Sequence, residues 1–149
     1  MLRKISTNKA PGAIGPYSQA IVCGDMVYTS GQIAINPETG NVDAQGIVAQ
    51  TAQVMKNLGA VLEEAGTSFE NAVKTTCFLY DMNDFSAFNE VYGKYFTSKP
   101  ARSCVAVKTL PKNVLVEVEV IAKINEERSR ESAAFLNCID GVSDFELYV

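Results

Sequence analysis

Arg102 is the first residue in this chain whose type and setting suggest chemistry. It opens the run Arg102-Ser103-Cys104-Val105-Ala106-Val107, directly after Lys99-Pro100-Ala101. A planar guanidinium there can capture a carboxylate through two parallel hydrogen bonds; the plainer reading is a solvated charge at a strand end. Glu117 and Glu119 are the second candidates. In a strand, valines 114, 116, 118 and 120 share one face, while Leu115, Glu117, Glu119 and Ile121 share the other. Carboxylates inside an apolar strand are costly unless paired or open to a wet cleft. They are either an exposed face or structural ion pair, or a group that orients or deprotonates water. Spacing alone does not choose between Glu117 and Glu119. Tyr17, just after Gly15-Pro16, and Ser30-Gly31-Gln32 complete the polar set. Their plain readings are a packed aromatic and, at Gly31, a bulge or a close backbone approach.

What is missing narrows the chemistry. The 149 residues include no histidine, which excludes a Ser-His-Asp triad, a Cys-His dyad and imidazole metal ligation. The glycines of 12–15 and 24–31 match neither a dinucleotide fingerprint nor a P-loop. Residues 1–124 carry 11 Lys+Arg and 11 Asp+Glu, so they offer no basic footprint for nucleic acid. Residues 125–149 carry 2 and 6, which accounts for the whole net charge of −4. Cys23, Cys77, Cys104 and Cys138 lie 54, 27 and 34 residues apart, with no CxxC. They read as buried or reduced thiols of a cytoplasmic protein, with no metal role. No apolar run is long enough to span a membrane, and Met1–Ala10 is too polar for a secretory signal.

The elements that must position these residues can be outlined from periodicity. Residues 11–16 form a Pro-stiffened loop. Ala20–Cys23 and Met26–Ile33 read as strands joined by Gly24-Asp25. Ile47, Thr51, Val54, Met55, Leu58, Val61, Leu62 and Ala65 recur at helical spacing, with Gly66 as a C-terminal cap. Val73–Tyr80 is a β-branched and aromatic strand, its Val73, Cys77 and Leu79 facing one way. Asn83 or Asp84 caps a second helix with the stripe Phe85, Phe88, Val91, Tyr92, Tyr95 and Phe96. Arg102–Val107 and Val114–Lys123 are the last strands. Two helices cover one face of such a sheet, and Phe78 and Tyr80 leave its other face apolar, so a second subunit is expected there. Residues 125–149 break the pattern. They form an atypical extension that is natural, partner-binding or foreign to the protein, with no order expected.

Four segments then carry a resemblance: Ile14-Gly15-Pro16-Tyr17-Ser18-Gln19-Ala20, Ser30-Gly31-Gln32-Ile33, Pro100-Ala101-Arg102-Ser103-Cys104-Val105 and Val116-Glu117-Val118. Together they make residues 1–124, read as one domain, similar to the RidA/YjgF family of enamine/imine deaminases. Departures are Val118, a short connection at Thr97–Lys99, and the extension. The resemblance implies a chorismate-mutase-like α+β fold: a mixed sheet with two helices on one side and a homotrimer burying the other. A hairpin across Lys108–Asn113 would set Arg102 opposite Glu119. The resemblance instead implies that the last strand inserts mid-sheet, that Arg102 lies on an edge strand, and that it meets Glu117 of a neighbouring subunit.

The implied reaction is cofactor-free hydrolysis of 2-enamino or 2-imino acids, such as 2-aminoacrylate, to 2-keto acids and ammonia in an inter-subunit cleft. Arg102 would clamp the carboxylate and Glu117 would activate water. Tyr17 and Ser30 would line the pocket, and backbone groups at Gly31 and Cys104 would supply hydrogen bonds. Competing readings are a non-catalytic sensor of 2-keto acids, an RNA-cleaving translation inhibitor, and a structural module.

Overall fold

The computed structural model describes residues 1–125 together with 127, 130, 131, 134 and 135. The 125–149 extension therefore falls largely outside the described residues. The elements run β1 (Leu2–Ile5), β2 (Ala20–Cys23), β3 (Met26–Thr29), α1 (Gly46–Ala65), β4 (Ala72–Leu79), α2 (Phe85–Tyr95), β5 (Ala101–Ala106) and β6 (Val116–Lys123). They build one mixed sheet in the order β1-β2-β3-β6-β4-β5. Only β4 and β5 pair in parallel, which is the pairing a helical crossover such as α2 permits. Over residues 1–125 the fold is mixed α+β with one mixed sheet and two α-helices, as expected.

The last strand takes the central place because of its side chains. Val116, Val118, Val120 and Ala122 are fully buried against the helices, and their burial favours folding by about 1.5–3 kcal/mol for each large apolar side chain. α1 brings Val54, Met55, Leu58 and Leu62 onto the same core, and α2 brings Phe88, Tyr92 and Phe96. Gly66, at φ 90°, ends α1 in the left-handed conformation expected of a C-terminal glycine. α1 also pins the loops around the sheet's end. Asn57 donates from Nδ2 to the carbonyls of Ile33 and Ile35, and Gln50 Oε1 accepts from the Leu115 amide.

Several sequence expectations change. β1 was not anticipated: in Leu2–Ile5 only Ile5 is buried, so the segment has no readable alternation. The strand expected over Met26–Ile33 stops at Thr29, whose Oγ1 accepts from the Val120 amide in place of a strand partner. Pairing resumes only at Gln32, which exchanges two backbone hydrogen bonds with Val118. Val73 does not share a face with Cys77 and Leu79, because the β4–β6 register shifts between Ala72 and Lys74 and turns Val73 outward. Neither Asn83 nor Asp84 caps α2 with its side chain. Asp81 instead accepts from the Asn83 amide and starts a short turn ahead of the helix. β5 and β6 begin at Ala101 and Val116 rather than at Arg102 and Val114.

Candidate active site

The candidate residues divide into two groups on opposite sides of the sheet. Arg102 lies opposite Thr75 in the β4–β5 register. Thr75 is buried under the helices and its hydroxyl is 2.7 Å from the Tyr92 hydroxyl. Register partners point to the same face, so Arg102 reaches toward α2. There Nη1 donates to Asn89 Oδ1 at 2.7 Å, and the guanidinium stands 4.8 Å from the Tyr92 ring centre and 5.4 Å from that of Phe85. Phe85, Asn89 and Tyr92 are at i, i+4 and i+7 on α2, so one helix face supplies all three contacts. The stacked rings and the amide hold the guanidinium in place. Cys104 lies two residues on, opposite Cys77, on the same face.

Glu117 lies on the other face. Its neighbours Val116 and Val118 are buried under the helices, and Glu117 pairs with Phe78. Arg102 and Glu117 are thus two strands apart and three residues apart along β4. At about 4.8 Å per strand and 3.3 Å per residue, this separates their backbones by roughly 14 Å. An odd offset also puts them on opposite faces. No single protomer can bring both onto one small molecule.

Glu117 has its own companions. A β-carbon at Gly31 would overlap its Oε1 and stand 2.9 Å from its Cδ, so the carboxylate lies directly over bare backbone. The signal in the sequence was a glycine at a strand end, which does mark a close approach here, of the Glu117 side chain. Ser30 donates from Oγ to the Ser18 carbonyl at 2.6 Å, and the Ser30 amide donates to the Gln19 carbonyl. Tyr17 is one residue before Ser18, 53% exposed, its hydroxyl accepting from the Ile14 amide. Buried Gln19 ties this loop down, donating to the carbonyls of Thr7 and Pro11 and accepting from the Thr7 amide. Gly31 and Glu117 therefore lie together beside Ser30, with Tyr17 on the loop that Ser30 holds, while Arg102 and Cys104 share the helix side of the sheet.

The two groups also differ electrostatically. Burial pushes the half-buried Glu117 carboxyl above the usual carboxylate range, and the charge of Glu119 adds to the shift. Glu119 is thus a neighbour that tunes Glu117. Burial raises the Cys104 thiol, with Arg102 opposing it. Cys77, fully buried, is pushed up to about 12 by burial first and by Cys104 second. Neither thiol is set up as a nucleophile, since an activated thiolate needs the opposite shift. Cys23, Cys77 and Cys104 are free thiols; Cys138 lies outside the described residues. Among the described residues, no three Cys, Asp or Glu side chains converge to hold a metal ion. No helix among them is long and apolar enough to cross a membrane.

Sequence reasoning missed Asn89, Phe85 and Tyr92 as partners of Arg102. The readable signal was a polar residue, Asn89, between Phe85 and Tyr92 on an otherwise apolar helix face. Its meaning depends on which strand lies beside that face.

Comparison with known proteins identifies the family and the fold. Residues 7–124 match the family described as Endoribonuclease L-PSP. This chain belongs to that family, the RidA/YjgF proteins. This RidA/YjgF protein is 52% identical over 124 residues to a RutC family protein of Synechocystis, covering 81% of this chain and 95% of that one. It is 48% identical over 121 residues to the human 2-iminobutanoate/2-iminopropanoate deaminase, covering 80% and 88%. Among solved structures, E. coli TdcF with bound serine superimposes with a TM-score of 0.78 at 43% identity, covering 83% of this chain and 99% of that one. The four sequence segments that carried the resemblance lie within the matched span.

Proposed function

We propose that this RidA/YjgF protein hydrolyses 2-imino acids, and the 2-enamino acids that tautomerise to them, to 2-keto acids and ammonia. The site is shared between adjacent copies of the chain in a homotrimer. The observation that supports it is the split: an aromatic-braced guanidinium on one face and a carboxylate of raised pKa on the other, too far apart to cooperate within one protomer. Residues of one group meeting the other group of the next copy is a heterologous contact, and such contacts close into rings. The sheet face carrying Glu117 also displays Tyr28, 45% exposed, and Val105, 48% exposed, apolar surface that a second copy would cover.

Arg102 takes the substrate carboxylate in a two-pronged grip and places the imine carbon over Glu117 of the adjacent copy. Glu117 accepts a proton from water as the hydroxyl oxygen bonds to that carbon and the C=N π pair moves to nitrogen. The proton then passes to the nitrogen. Glu117 then takes the proton of the new hydroxyl and delivers it to the nitrogen as the C–N bond breaks, so that ammonia leaves, the C–O bond becomes the ketone C=O and Glu117 is again ionised. Backbone groups at Gly31 and Cys104 and the Tyr17 and Ser30 side chains bound the pocket. Because positioning supplies most of the advantage, no covalent enzyme intermediate is needed. The similarity to the human deaminase supports the same substrate class.

The test couples a threonine dehydratase to this protein and follows loss of 2-iminobutanoate before spontaneous hydrolysis. Acceleration that disappears in Arg102→Ala, with oligomer size unchanged by light scattering, is the expected result. Ligand binding without acceleration would move the assignment to a 2-keto-acid sensor.

A further inference from the structure

Beside Arg102, on the helix side of the sheet, the last turn of α2 and the short connection into β5 enclose a cleft of about 310 Å³. That is the small end of the roughly 300–1,000 Å³ range of ligand pockets. Its apolar wall is Tyr92, Phe96 and Pro100. Its charged groups are Lys99 and Arg102, and no carboxylate lines it. The connection from Phe96 to Pro100 is so tight that Lys99 adopts φ 55°, its amide donating to the Phe96 carbonyl at 3.2 Å. A left-handed backbone at a residue with a β-carbon is a disfavoured conformation, and such conformations concentrate at functional sites. Among the described residues, the Lys99 ammonium has no hydrogen-bond or ion-pair partner.

We infer that this cleft is the side-chain subsite of the enzyme and that Lys99 makes it selective for 2-imino acids bearing a second carboxylate. The inference rests on the reading of Arg102 as the clamp for the first carboxylate. With that group on Arg102, the substrate's methylenes lie along Phe96 and Pro100 and the distal carboxylate meets Lys99. Two cations, an apolar wall and no acid suit a four- or five-carbon dicarboxylate better than a neutral chain, which would leave the second cation unused. The upstream reaction must then be an oxidation or elimination that yields the imine of an acidic amino acid.

The test compares imines of glutamate and of 2-aminobutanoate, generated in place by amino-acid oxidases, together with calorimetric binding of 2-ketoglutarate and 2-ketobutanoate. The wild-type protein is expected to prefer the dicarboxylate of each pair. Lys99→Ala is expected to lower the dicarboxylate-to-monocarboxylate ratio, in both kcat/KM and affinity, by about fivefold, the size of an exposed ion pair. Lys99→Glu is expected to lower it by roughly tenfold or more, and the wild-type preference is expected to fade as salt rises. Turnover of the 2-aminobutanoate imine with ratios that Lys99 does not affect would overturn the subsite and leave the deaminase reading standing. No turnover of either imine, but Lys99-dependent binding of 2-ketoglutarate, would overturn the deaminase reading and uphold the subsite.

Discussion

Gly31 and Glu117 occupy one small volume. The carboxylate stands where a side chain at position 31 would be, with its Cδ 2.9 Å from the β-carbon that any other residue would carry. A glycine 86 positions away in the chain therefore sets the position of the proposed base.

Gly31→Ala is expected to push Glu117 aside without unfolding the protein, because the obstructing group is a side-chain terminus that can rotate. A displacement of about 1 Å at a reacting group can cost on the order of 100-fold in rate. Loss of turnover of that order, with melting temperature lowered by only a few degrees, is the expected pair of readings. Full activity in the alanine variant would mean that the position of Glu117 does not matter.

If the site is shared, inactive variants should rescue each other. Arg102→Ala supplies an intact Glu117, and Glu117→Gln supplies an intact Arg102. Subunits mixed at random in a ring place both intact groups at about one quarter of the sites, so refolded mixtures should recover about that share of activity. Mixtures as inactive as the separate variants would show that the two residues do not act together across a subunit boundary.

The raised pKa of Glu117, due first to burial and then to Glu119, has a definite sign in stability. At pH values between its unfolded range, about 4.3, and its higher folded value, the folded chain holds a proton that the unfolded chain has lost. Its contribution is therefore greatest in acid and falls as pH rises through the folded value. Glu117→Gln removes that dependence. Its melting temperature should exceed the wild type's at neutral pH, and the gap should close in acid. Parallel curves would contradict the burial of this carboxyl. Turnover should fall with acidity at a higher pH than an ordinary carboxylate would give, since the base must be ionised to accept a proton.

The described thiols should react in order of exposure. Cys23 is exposed, Cys104 is intermediate, and Cys77 is fully buried with a pKa of about 12. Iodoacetamide followed by peptide mass mapping should label Cys23 first, Cys104 more slowly, and Cys77 only on unfolding. A saturating 2-keto acid should slow labelling of Cys104 and leave Cys23 unchanged.

Much of the local structure was readable. The three-and-four spacing from Ile47 to Ala65 corresponds to α1, and the Gly24-Asp25 pair does join β2 to β3. The alternation of Val116, Glu117, Val118 and Glu119 correctly separated buried from accessible side chains. These signals survive because each reports one element's own apolar face. β1 escaped because an edge strand with a single buried residue has no such face. Val73 was misplaced because a register shift is a property of two strands together.

The sequence by itself determined the chemical vocabulary of this protein: no imidazole, one well-placed guanidinium, and two carboxylates on an apolar strand. It also determined the helices and strands that carry them, since periodicity is a local consequence of burying one face. The strand order did not follow from periodicity: the resemblance implied a last strand inserted mid-sheet and an edge strand for Arg102, and the tertiary structure shows β6 between β3 and β4 and β5 joined to the edge in parallel. Strand order comes from pairing between segments distant in the chain, and no single segment's pattern encodes its partner. That order places Arg102 under α2 and Glu117 on the opposite face over Gly31, too far apart for one small molecule to touch both within a single protomer.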